Sequence, residues 1–566
     1  MSRFQLLFNM KSLIVLVVIV SIVTCKKQSK PNIVVILGDD IGWNDFSFHG
    51  SNQIPTPNID ALGYNGVFLN RFYTQPTCSP SRAALLTGKY PMRMGYQGTP
   101  LNSGEDRPLP DDVETLPQKL KELGYKTHLV GKWHLSAGRR KDTPTGRGFD
   151  THFGYWNGYI GYFDFFAYQP MDPNDTSTGE TEWSGLDLHD GFAPQWEYQN
   201  QYATDLFTEK SLEVIDKHNS SDPLFLMIGH LAAHTGAHGT ELGVPDVNQT
   251  QKDYWYIDDP VRQRFADVVN RLDKSVGDVV QQLQKKDMLK NSIILFLSDN
   301  GAQTVGIYEN HGSNYPLKGL KFSLLEGGVR GSAVLFSPLL SKKGYINNHL
   351  LHISDVYTTL IELAGGTAPN NTDGINQWST ISYDKNTQRK EILLNVDEIQ
   401  GYSGIISKLG RYKFLNGSYL LGIYDGALGE TGRNSSTPTY DASKVISSAV
   451  NQAIQSLSGI SPLNSSTIST LREQLDISSC NQKTRTSDSP CLGECLFDLW
   501  KDPCETENIV SSSPTIAEKL REKLYNYVSQ IVPERNRGVD LNSNPKKYNN
   551  TWCTWLDDSE CYKTLL

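Results

Sequence analysis

Short apolar runs alternate with amphipathic helical patterns over residues 31–394 of the chain. The runs at 32–37, 224–228 and 292–297 are typical of buried strands, and a one-faced helical pattern at 265–283 directly precedes the last of them. Strands that alternate with helices usually pair in parallel, and such a sheet needs cover on both faces. The pattern therefore predicts an α/β fold with a large, mostly parallel sheet sandwiched by helices.

The chain changes in character near residue 400. Its 566 residues are more than one hydrophobic core usually serves, so we expect two domains, 31–400 and 401–566. The Ser/Thr/Asn-rich stretch 434–470 indicates a loop, 495–499 a strand, and Ser513 and Pro514 the capped start of a helix. These features predict a smaller C-terminal α+β domain built on an antiparallel sheet, with a cysteine-rich end.

The N-terminus has the composition of a secretory signal. Arg3 and Lys11 precede an apolar run at 13–23 that is too short for a comfortable membrane span, and 23–25 offers a cleavage site. We predict a signal peptide over residues 1–25, with an uncleaved anchor as the alternative and no other membrane span. Eight N-x-[ST] sequons support a secreted or lysosomal glycoprotein: Asn174, Asn219, Asn248, Asn370, Asn416, Asn434, Asn464 and Asn549.

The eight cysteines are unevenly spread. Cys25 falls in the predicted signal, and Cys78 stands alone in the first half of the mature chain. In an oxidising compartment the other six predict three disulfides of unknown pairing: Cys480, Cys491, Cys495, Cys504, Cys553 and Cys561. A zinc site is the alternative, but these cysteines have no nearby histidines. Cys78 is therefore the odd thiol and needs its own explanation.

The net charge of −9 argues against a general nucleic-acid binder. It does not exclude an anionic substrate, because a few Lys and Arg side chains focused in a pocket outweigh a distant acidic surface. The net charge thus argues against nucleic acid as a general partner and does not identify the substrate.

Hard oxygen ligands follow two of the predicted strands. Asp39 and Asp40 come after the first strand, and Asp299 and Asn300 after the run at 292–297. Ligands of open α/β sheets gather beyond the carboxyl ends of the strands. Three carboxylates and an amide suit Ca²⁺ or Mg²⁺ better than zinc. The alternative is structural, since Asp and Asn often end strands and start turns.

Cys78 opens a predicted helix. Pro80 suits the first turn of a helix and Gly88 its end, so Cys78 lies at a helix N-terminus, where negative charge is stabilised. Arg82 follows about one turn later. A lone cysteine in such a place is otherwise a buried structural residue.

The run Cys78-x-Pro80-Ser81-Arg82, with Leu-Thr-Gly at 86–88, resembles the motif of the formylglycine-dependent sulfatases. Gly-Lys-Trp-His at 131–134 is similar to that family's second pattern, and Glu-Gly-Gly-Val-Arg at 326–330 to a later one. The resemblance runs from residue 31 to at least 502, and it is greatest to the arylsulfatase B (N-acetylgalactosamine-4-sulfatase) type. It implies an alkaline-phosphatase-like fold.

The resemblance also implies two cofactors. Cys78 would be oxidised to formylglycine (3-oxoalanine) by the formylglycine-generating enzyme. Its hydrate would attack sulfur with one hydroxyl and expel sulfate with the help of the other. Ca²⁺ would be held by the set that matches the family's ligands: Asp39, Asp40, Cys78, Asp299 and Asn300.

The same resemblance assigns roles to five further residues. Arg82 would hold the formylglycine hydroxyl or its metal neighbours, and Lys132 a sulfate oxygen. His134 would handle a hydroxyl proton; lying two residues from Lys132 on a strand-like segment, it should share that residue's face. His234 would contact the sulfate or protonate the leaving oxygen. Lys321 matches the late active-site lysine, with Lys318 as its rival, while His230 and His238 keep a structural interpretation.

The expected substrate is a sulfated carbohydrate, such as an amino-sugar sulfate of a glycosaminoglycan, or a small aryl sulfate. Residues 231–238 differ from the vertebrate arylsulfatase B type and leave the sugar open. Alternatives are a detoxifying sulfatase on plant sulfates such as glucosinolates, a phosphate or phosphonate monoester hydrolase, and a non-catalytic glycan-binding relative.

Overall fold

The computed structural model describes residues 30–171, 180–236, 242–426, 429–482 and 490–557. The predicted signal peptide with Cys25, the sequon at Asn174, His238 and Cys561 lie outside these ranges. Among the described residues, no helix is both long and apolar enough to cross a membrane.

Strands and α-helices are numbered here in chain order. The strands are β1 Asn32–Gly38, β2 Val67–Leu69, β3 Phe72–Tyr73, β4 Lys126–Lys132, β5 Thr151–Tyr155, β6 Phe166–Pro170, β7 Glu182–Leu186, β8 His189–Asp190, β9 Ala193–Pro194, β10 Leu224–Gly229, β11 Ser292–Ser298, β12 Arg330–Gly331, β13 Ala333–Phe336, β14 Tyr345–Asn347, β15 Leu351–His352, β16 Ile392–Asp397, β17 Tyr402–Ser407, β18 Tyr412–Asn416 and β19 Glu494–Asp498. The α-helices are α1 Pro57–Asn65, α2 Cys78–Thr87, α3 Leu116–Glu122, α4 Ala203–Lys217, α5 Val247–Asp253, α6 Pro260–Lys285, α7 Glu326–Val329, α8 Asp355–Leu363, α9 Trp378–Tyr383, α10 Ala442–Ile446, α11 Ala449–Gln455, α12 Ser465–Leu475 and α13 Pro514–Val528.

The largest sheet has the strand order β14-β2-β13-β11-β1-β10-β4-β5-β8-β9. Its centre, β11-β1-β10-β4-β5, is parallel throughout, and antiparallel strands flank it on both sides. Alternate residues of β1 enter two different cores: Val34 and Ile36 pack on one face, Ile33 and Val35 on the other. The predicted α/β sandwich is confirmed, with a parallel centre inside a mixed sheet.

A second, antiparallel sheet is formed by β16, β17, β18 and β19. Helix α13 covers it with buried Ala517, Leu520 and Leu524. The smaller antiparallel C-terminal sheet is thus confirmed, although its first strand begins at Ile392, ahead of the boundary expected at residue 400. Pro514 lies in the first turn of α13 as expected, but the Ser513 side chain makes no capping hydrogen bond.

The stretch 434–470 is not one loop, contrary to the prediction. It contains α10, α11 and the start of α12, and the side chains of Asp441, Ser448 and Asn464 cap these helices by accepting backbone N–H bonds. Some of the Ser and Asn residues that indicated a loop lie instead at the N-caps of helices. Their side-chain oxygens accept hydrogen bonds from backbone N–H groups that have no partner within the helix. Buried Val450 and Ile454 join the core of the large sheet.

The cysteine predictions are partly resolved. Disulfides join Cys480 to Cys504 and Cys491 to Cys495, Cys553 is also disulfide-bonded, and Cys78 is a buried free thiol. The sequon asparagines at 219, 248, 370, 434, 464 and 549 are exposed, and Asn416 is half-buried. Glycosylation at these positions remains a prediction.

Candidate active site

The two predicted strand ends meet at one edge of the large sheet. Strands β1 and β11 are parallel neighbours with Gly38 opposite Ser298, so the residues that follow them emerge side by side. Carboxylate oxygens of Asp39, Asp40 and Asp299 lie within 4.8 Å of one another, and all three residues are fully buried. The sequence placed these acids correctly because they directly follow buried strands.

The oxygens at this edge fit a hard divalent cation. Asp39 Oδ1 and Asn300 Oδ1 are buried and have no hydrogen-bond partner. The Asn300 amide nitrogen donates to Asp40 Oδ1 at 2.6 Å, which holds the amide beside the carboxylates. A buried acceptor without a partner is costly, and Ca²⁺ or Mg²⁺ coordinated by these oxygens would remove that cost.

Three cationic side chains neutralise the acids directly. Lys132 Nζ donates to Asp39 Oδ2 at 2.5 Å, and Lys321 Nζ donates to Asp40 Oδ2 at 2.7 Å. Arg82 donates from Nε and Nη2 to Asp299 Oδ2 at 3.1 and 3.0 Å, so it contacts one of the acids that the sequence predicts as a metal ligand.

The charges around these acids shift their pKa values in opposite directions. Burial alone would raise the pKa of Asp40, but Lys321 and then His234 outweigh it and hold that pKa below its ordinary value. Burial, followed by the negative charge of Asp39, raises the pKa of Asp299 to about 6. The cluster is therefore anionic at Asp40 and less readily ionised at Asp299.

Cys78 is the first residue of α2, as predicted, and Gly88 ends the helix with a φ of 68°. The thiol is buried, and its Sγ lies 3.3 Å from His134 Nδ1. Burial raises the pKa of Cys78, opposed by the nearby charges of Lys132 and Lys321. The side chain at this position therefore lies among the groups of the acidic edge.

His134 reaches the site by a different route from the one expected. Strand β4 ends at Lys132, and His134 has a left-handed φ of 60°, so the two residues do not share a face through strand alternation. The ring turns instead toward Cys78, with Nε2 lying 3.0 Å from the carbonyl of Leu101. Nε2 thus carries the hydrogen and Nδ1 faces Cys78 as an acceptor.

His234 borders the same acids. Its Nδ1 lies 2.7 Å from the carbonyl of Thr235, its Nε2 lies 3.5 Å from Asp40 Oδ2, and burial lowers its pKa to about 3. The ring is stacked on Tyr159 with centroids 5.4 Å apart. This aromatic support had no signal in the sequence, because Tyr159 lies in an irregular segment far from His234 in the chain.

The structure separates the two candidate lysines. Lys321 bonds Asp40 and lines the cleft beside Cys78, whereas Lys318 accepts a backbone bond from Gly327 and is absent from the lining. Glu326 also lies away from the acids and pairs with Lys413 at 2.7 Å. His230 is buried with Nε2 3.1 Å from Ser275 Oγ, in agreement with its structural interpretation.

A cleft of about 180 Å³ leads to Cys78. Its lining combines site residues with a loop at 99–103 and several aromatic side chains: Cys78, Thr99, Pro100, Leu101, Asn102, Ser103, His134, Gly158, Tyr159, Gln169, His234, Ile307, Tyr308, Lys321, Phe322 and Tyr419. Sequence reasoning missed the aromatic residues, since they come from four separate segments with no common motif.

Three residues of this site have a strained backbone conformation. Asp40, His134 and Phe322 have left-handed φ values of 55°, 60° and 76°. Such conformations cost about 1–3 kcal/mol each and persist only where the surrounding structure enforces them. Each therefore aims a side chain that a relaxed backbone would point elsewhere.

Comparisons with known proteins identify a family for this chain. A family model described as Sulfatase matches residues 31–366. Mouse arylsulfatase J is 34% identical over 536 residues, which cover 94% of this chain and 81% of the relative. Human N-acetylgalactosamine-6-sulfatase is 32% identical over 361 residues, 62% of this chain and 66% of the relative. The crystal structure of Ps i-CgsB in complex with k-i-k-neocarrahexaose has a TM-score of 0.67 at 23% identity, covering 94% of this chain and 99% of that one. This last likeness supports the fold alone.

Proposed function

The chain belongs to the sulfatase family and is a sulfuric ester hydrolase, and we propose that it works through a formylglycine made from Cys78 beside a bound Ca²⁺. The observation that carries this proposal is the edge of the sheet where Asp39 and Asn300 each keep a buried, unpartnered oxygen. The Cys78 thiol lies in the same cluster, in contact with His134. Its Sγ marks the place of the oxygens of the hydrated aldehyde.

The proposed cofactors would be held by groups already in position. The cation would be held by Asp39, Asp40, Asp299, Asn300 and the oxidised residue 78. Together the cofactors supply a nucleophilic hydroxyl, a second hydroxyl that allows release of sulfate, and positive charge that promotes ionisation. Arg82 fixes the Asp299 carboxylate through two hydrogen bonds to one oxygen, and so keeps that ligand oriented.

Proton handling at position 78 falls to His134. Its Nε2 hydrogen faces Leu101, so Nδ1 is the nitrogen that accepts a proton from a group at the place of the thiol. Burial lowers the pKa of His134 well below its usual value, which keeps the ring neutral and able to accept.

Substrate binding falls to Lys132, Lys321 and His234, of which the last two line the cleft. Lys132 and Lys321 each donate to a single carboxylate oxygen, and an ammonium group has three hydrogens, so both retain hydrogens for sulfate oxygens. His234 borders Asp40 on the cleft and is placed to contact the sulfate or the leaving oxygen.

We propose amino-sugar sulfates of glycosaminoglycans or small aryl sulfates as substrates. Support comes from the names of two relatives, N-acetylgalactosamine-6-sulfatase and arylsulfatase J. The arylsulfatase B subtype remains a prediction. Passage through the secretory pathway, where the formylglycine-generating enzyme acts, to a lysosomal or extracellular destination belongs to the same proposal.

Peptide mass spectrometry tests the nucleophile directly. Trypsin cuts after Arg71 and Arg82 and releases the fragment that contains Cys78. We expect the aldehyde, which differs in mass from the thiol, together with turnover of 4-nitrocatechol sulfate well above that of p-nitrophenyl phosphate. A thiol at position 78 in active enzyme, or faster phosphate turnover, would contradict the proposal.

A further inference from the structure

Aromatic rings form much of the wall of the cleft beside Cys78. Tyr159 is stacked on His234 and lies 5.2 Å from Tyr308, measured between ring centroids. A second group begins directly after Lys321, where Phe322 stacks with Tyr419 at 4.8 Å. Rings of this kind offer apolar faces to the carbon skeleton of a substrate and no charge to an anion.

Positive charge is confined to the inner end of this cleft. Among the described lining residues, Lys321 is the only Lys or Arg, and it already bonds Asp40. The two lining histidines, His134 and His234, lie at the same end of the cleft, in contact with Cys78 and Asp40 respectively. The outer lining is polar but uncharged: Thr99, Asn102, Ser103 and Gln169.

Carboxylates lie behind the outer wall. Oxygens of Asp397, Glu398 and Glu534 lie within 4.8 Å of one another. Asp397 in β16 lies opposite Tyr402 in the neighbouring strand β17. The ring of Tyr402 lies 5.8 Å, between centroids, from the ring of Tyr419, which lines the cleft. Burial raises the pKa of Asp397, and burial followed by the neighbouring carboxylates raises the pKa of Glu534 to about 7. The negative charge next to the outer part of the cleft is therefore largest above neutral pH, where it repels a second anionic group on a substrate.

We infer that this cleft selects sulfate esters whose alcohol is one uncharged ring, aryl or pyranosyl, and disfavours esters that carry a second anionic group. The inference rests on the proposed function and narrows its substrate class, since it favours a lone ring over a polyanionic chain. A cleft of about 180 Å³ is also small beside ordinary ligand sites of about 300–1,000 Å³.

Matched esters test the inference on the unmodified enzyme. One pair is 4-methylumbelliferyl sulfate and the 7-sulfate of 7-hydroxycoumarin-4-acetic acid, which share the ring and differ by a remote carboxylate. The other is N-acetylgalactosamine sulfate, alone and linked to glucuronate. We expect kcat/KM to be at least about tenfold lower for the charged member of each pair, because like charges brought together oppose binding. Equal or faster turnover of the charged members would overturn the inference.

A charge placed in the cleft sharpens the test. Gln169→Lys adds a cation to the outer lining and should shift the ratio of the two kcat/KM values toward the carboxylate ester by about tenfold. Gln284→Lys is the matched control. Gln284 lies near the C-terminal end of α6, which leads into the start of β11, whereas the cleft lies beyond the end of that strand. The control variant should leave the ratio of the two kcat/KM values unchanged. An unchanged ratio in Gln169→Lys would contradict the inference that charge in this lining selects between the two esters.

Failure of this inference differs from failure of the proposed function. Turnover of both coumarin esters at equal rates contradicts the selectivity alone. Absence of turnover with every sulfate ester, together with a thiol at Cys78, contradicts the nucleophile and the selectivity that rests on it.

Discussion

Two buried charge clusters of similar composition have different roles. The site cluster lies at the end of the parallel strands and comprises Asp39, Asp40, Asp299, Arg82, Lys132 and Lys321. The interface cluster joins the second sheet to helix α7 and strand β12, and it comprises Glu326, Glu505, Lys413 and Arg330.

In the interface cluster each carboxylate faces a cation, although Glu326 Oε1 and Glu505 Oε1 have no hydrogen bond. Lys413 Nζ lies 2.7 Å from Glu326 Oε1 and 2.9 Å from Glu505 Oε1. The remaining oxygens also have partners, since Glu326 N donates to Glu505 Oε2 and Tyr73 donates to Glu326 Oε2. Such a network fixes β18 against α7, and none of its four residues lines the cleft beside Cys78.

The site cluster is balanced in charge but not in hydrogen bonds. Three cations face three carboxylates, yet Asp39 Oδ1 and Asn300 Oδ1 remain unpartnered. Burial, charge and oxygens without a hydrogen bond are therefore common to both clusters. The site cluster differs in its position, because its Lys321 lines the cleft beside Cys78.

The largest expected effect concerns Cys78→Ala. The protein should fold, because the side chain packs at a helix start and alanine suits a helix, while turnover of 4-nitrocatechol sulfate falls by roughly 1,000-fold or more. Activity and the far-UV circular dichroism spectrum are measured together. Substantial activity in a folded variant would mean that the nucleophile is misassigned.

Asp299→Asn should lower both calcium content and kcat/KM, the latter by roughly 100-fold, because it removes a ligand charge and a partner of Arg82. Metal content is measured by mass spectrometry of the purified protein.

Asp355→Asn is the matched control for Asp299→Asn. Asp355 is buried and binds Arg389 through two nitrogens, much as Asp299 binds Arg82, but it lies outside the cleft lining. This control should lose stability and keep its metal. Equal metal loss in both variants would remove Asp299 from the ligand set.

Lys413→Met should affect stability rather than turnover. It leaves buried Glu505 without a cation and Glu326 with only the more distant Arg330 at 3.5 Å, and breaking a buried pair in this way costs about 3–5 kcal/mol. The midpoint of denaturant unfolding reports this cost, while kcat/KM of the folded fraction stays close to that of the parent. A variant with normal stability and lost activity would reverse the roles assigned to the two clusters.

The smallest effect is a change in pH dependence. Burial raises the pKa of Glu505 from 4.5 to about 7, opposed by Lys413. Between these values the folded protein keeps a proton that the unfolded chain releases, so this group's contribution to stability falls as pH rises. Glu505→Gln has no carboxyl group to titrate at this position. The difference between its melting temperature and that of the parent should therefore increase as pH rises across this range. A constant difference would show that Glu505 does not titrate there.

Local patterns predicted much of the fold and of the site. Buried runs gave β1 and β11, and the acids that follow them were placed because parallel strands end at one edge. Pro80 and Gly88 gave the bounds of the helix that starts at Cys78. The errors arose where composition was taken for structure, as in 434–470, where polar residues include helix caps.

The sequence by itself determined the strand ends, the acids that follow them and the helix that starts at Cys78, because these depend on interactions between near neighbours. Tertiary structure decided that Lys321 rather than Lys318 meets Asp40, that Glu326 belongs to the interface cluster, and which aromatic rings line the cleft. These contacts join segments far apart in the chain, and no periodicity records them, since they depend on how whole layers pack.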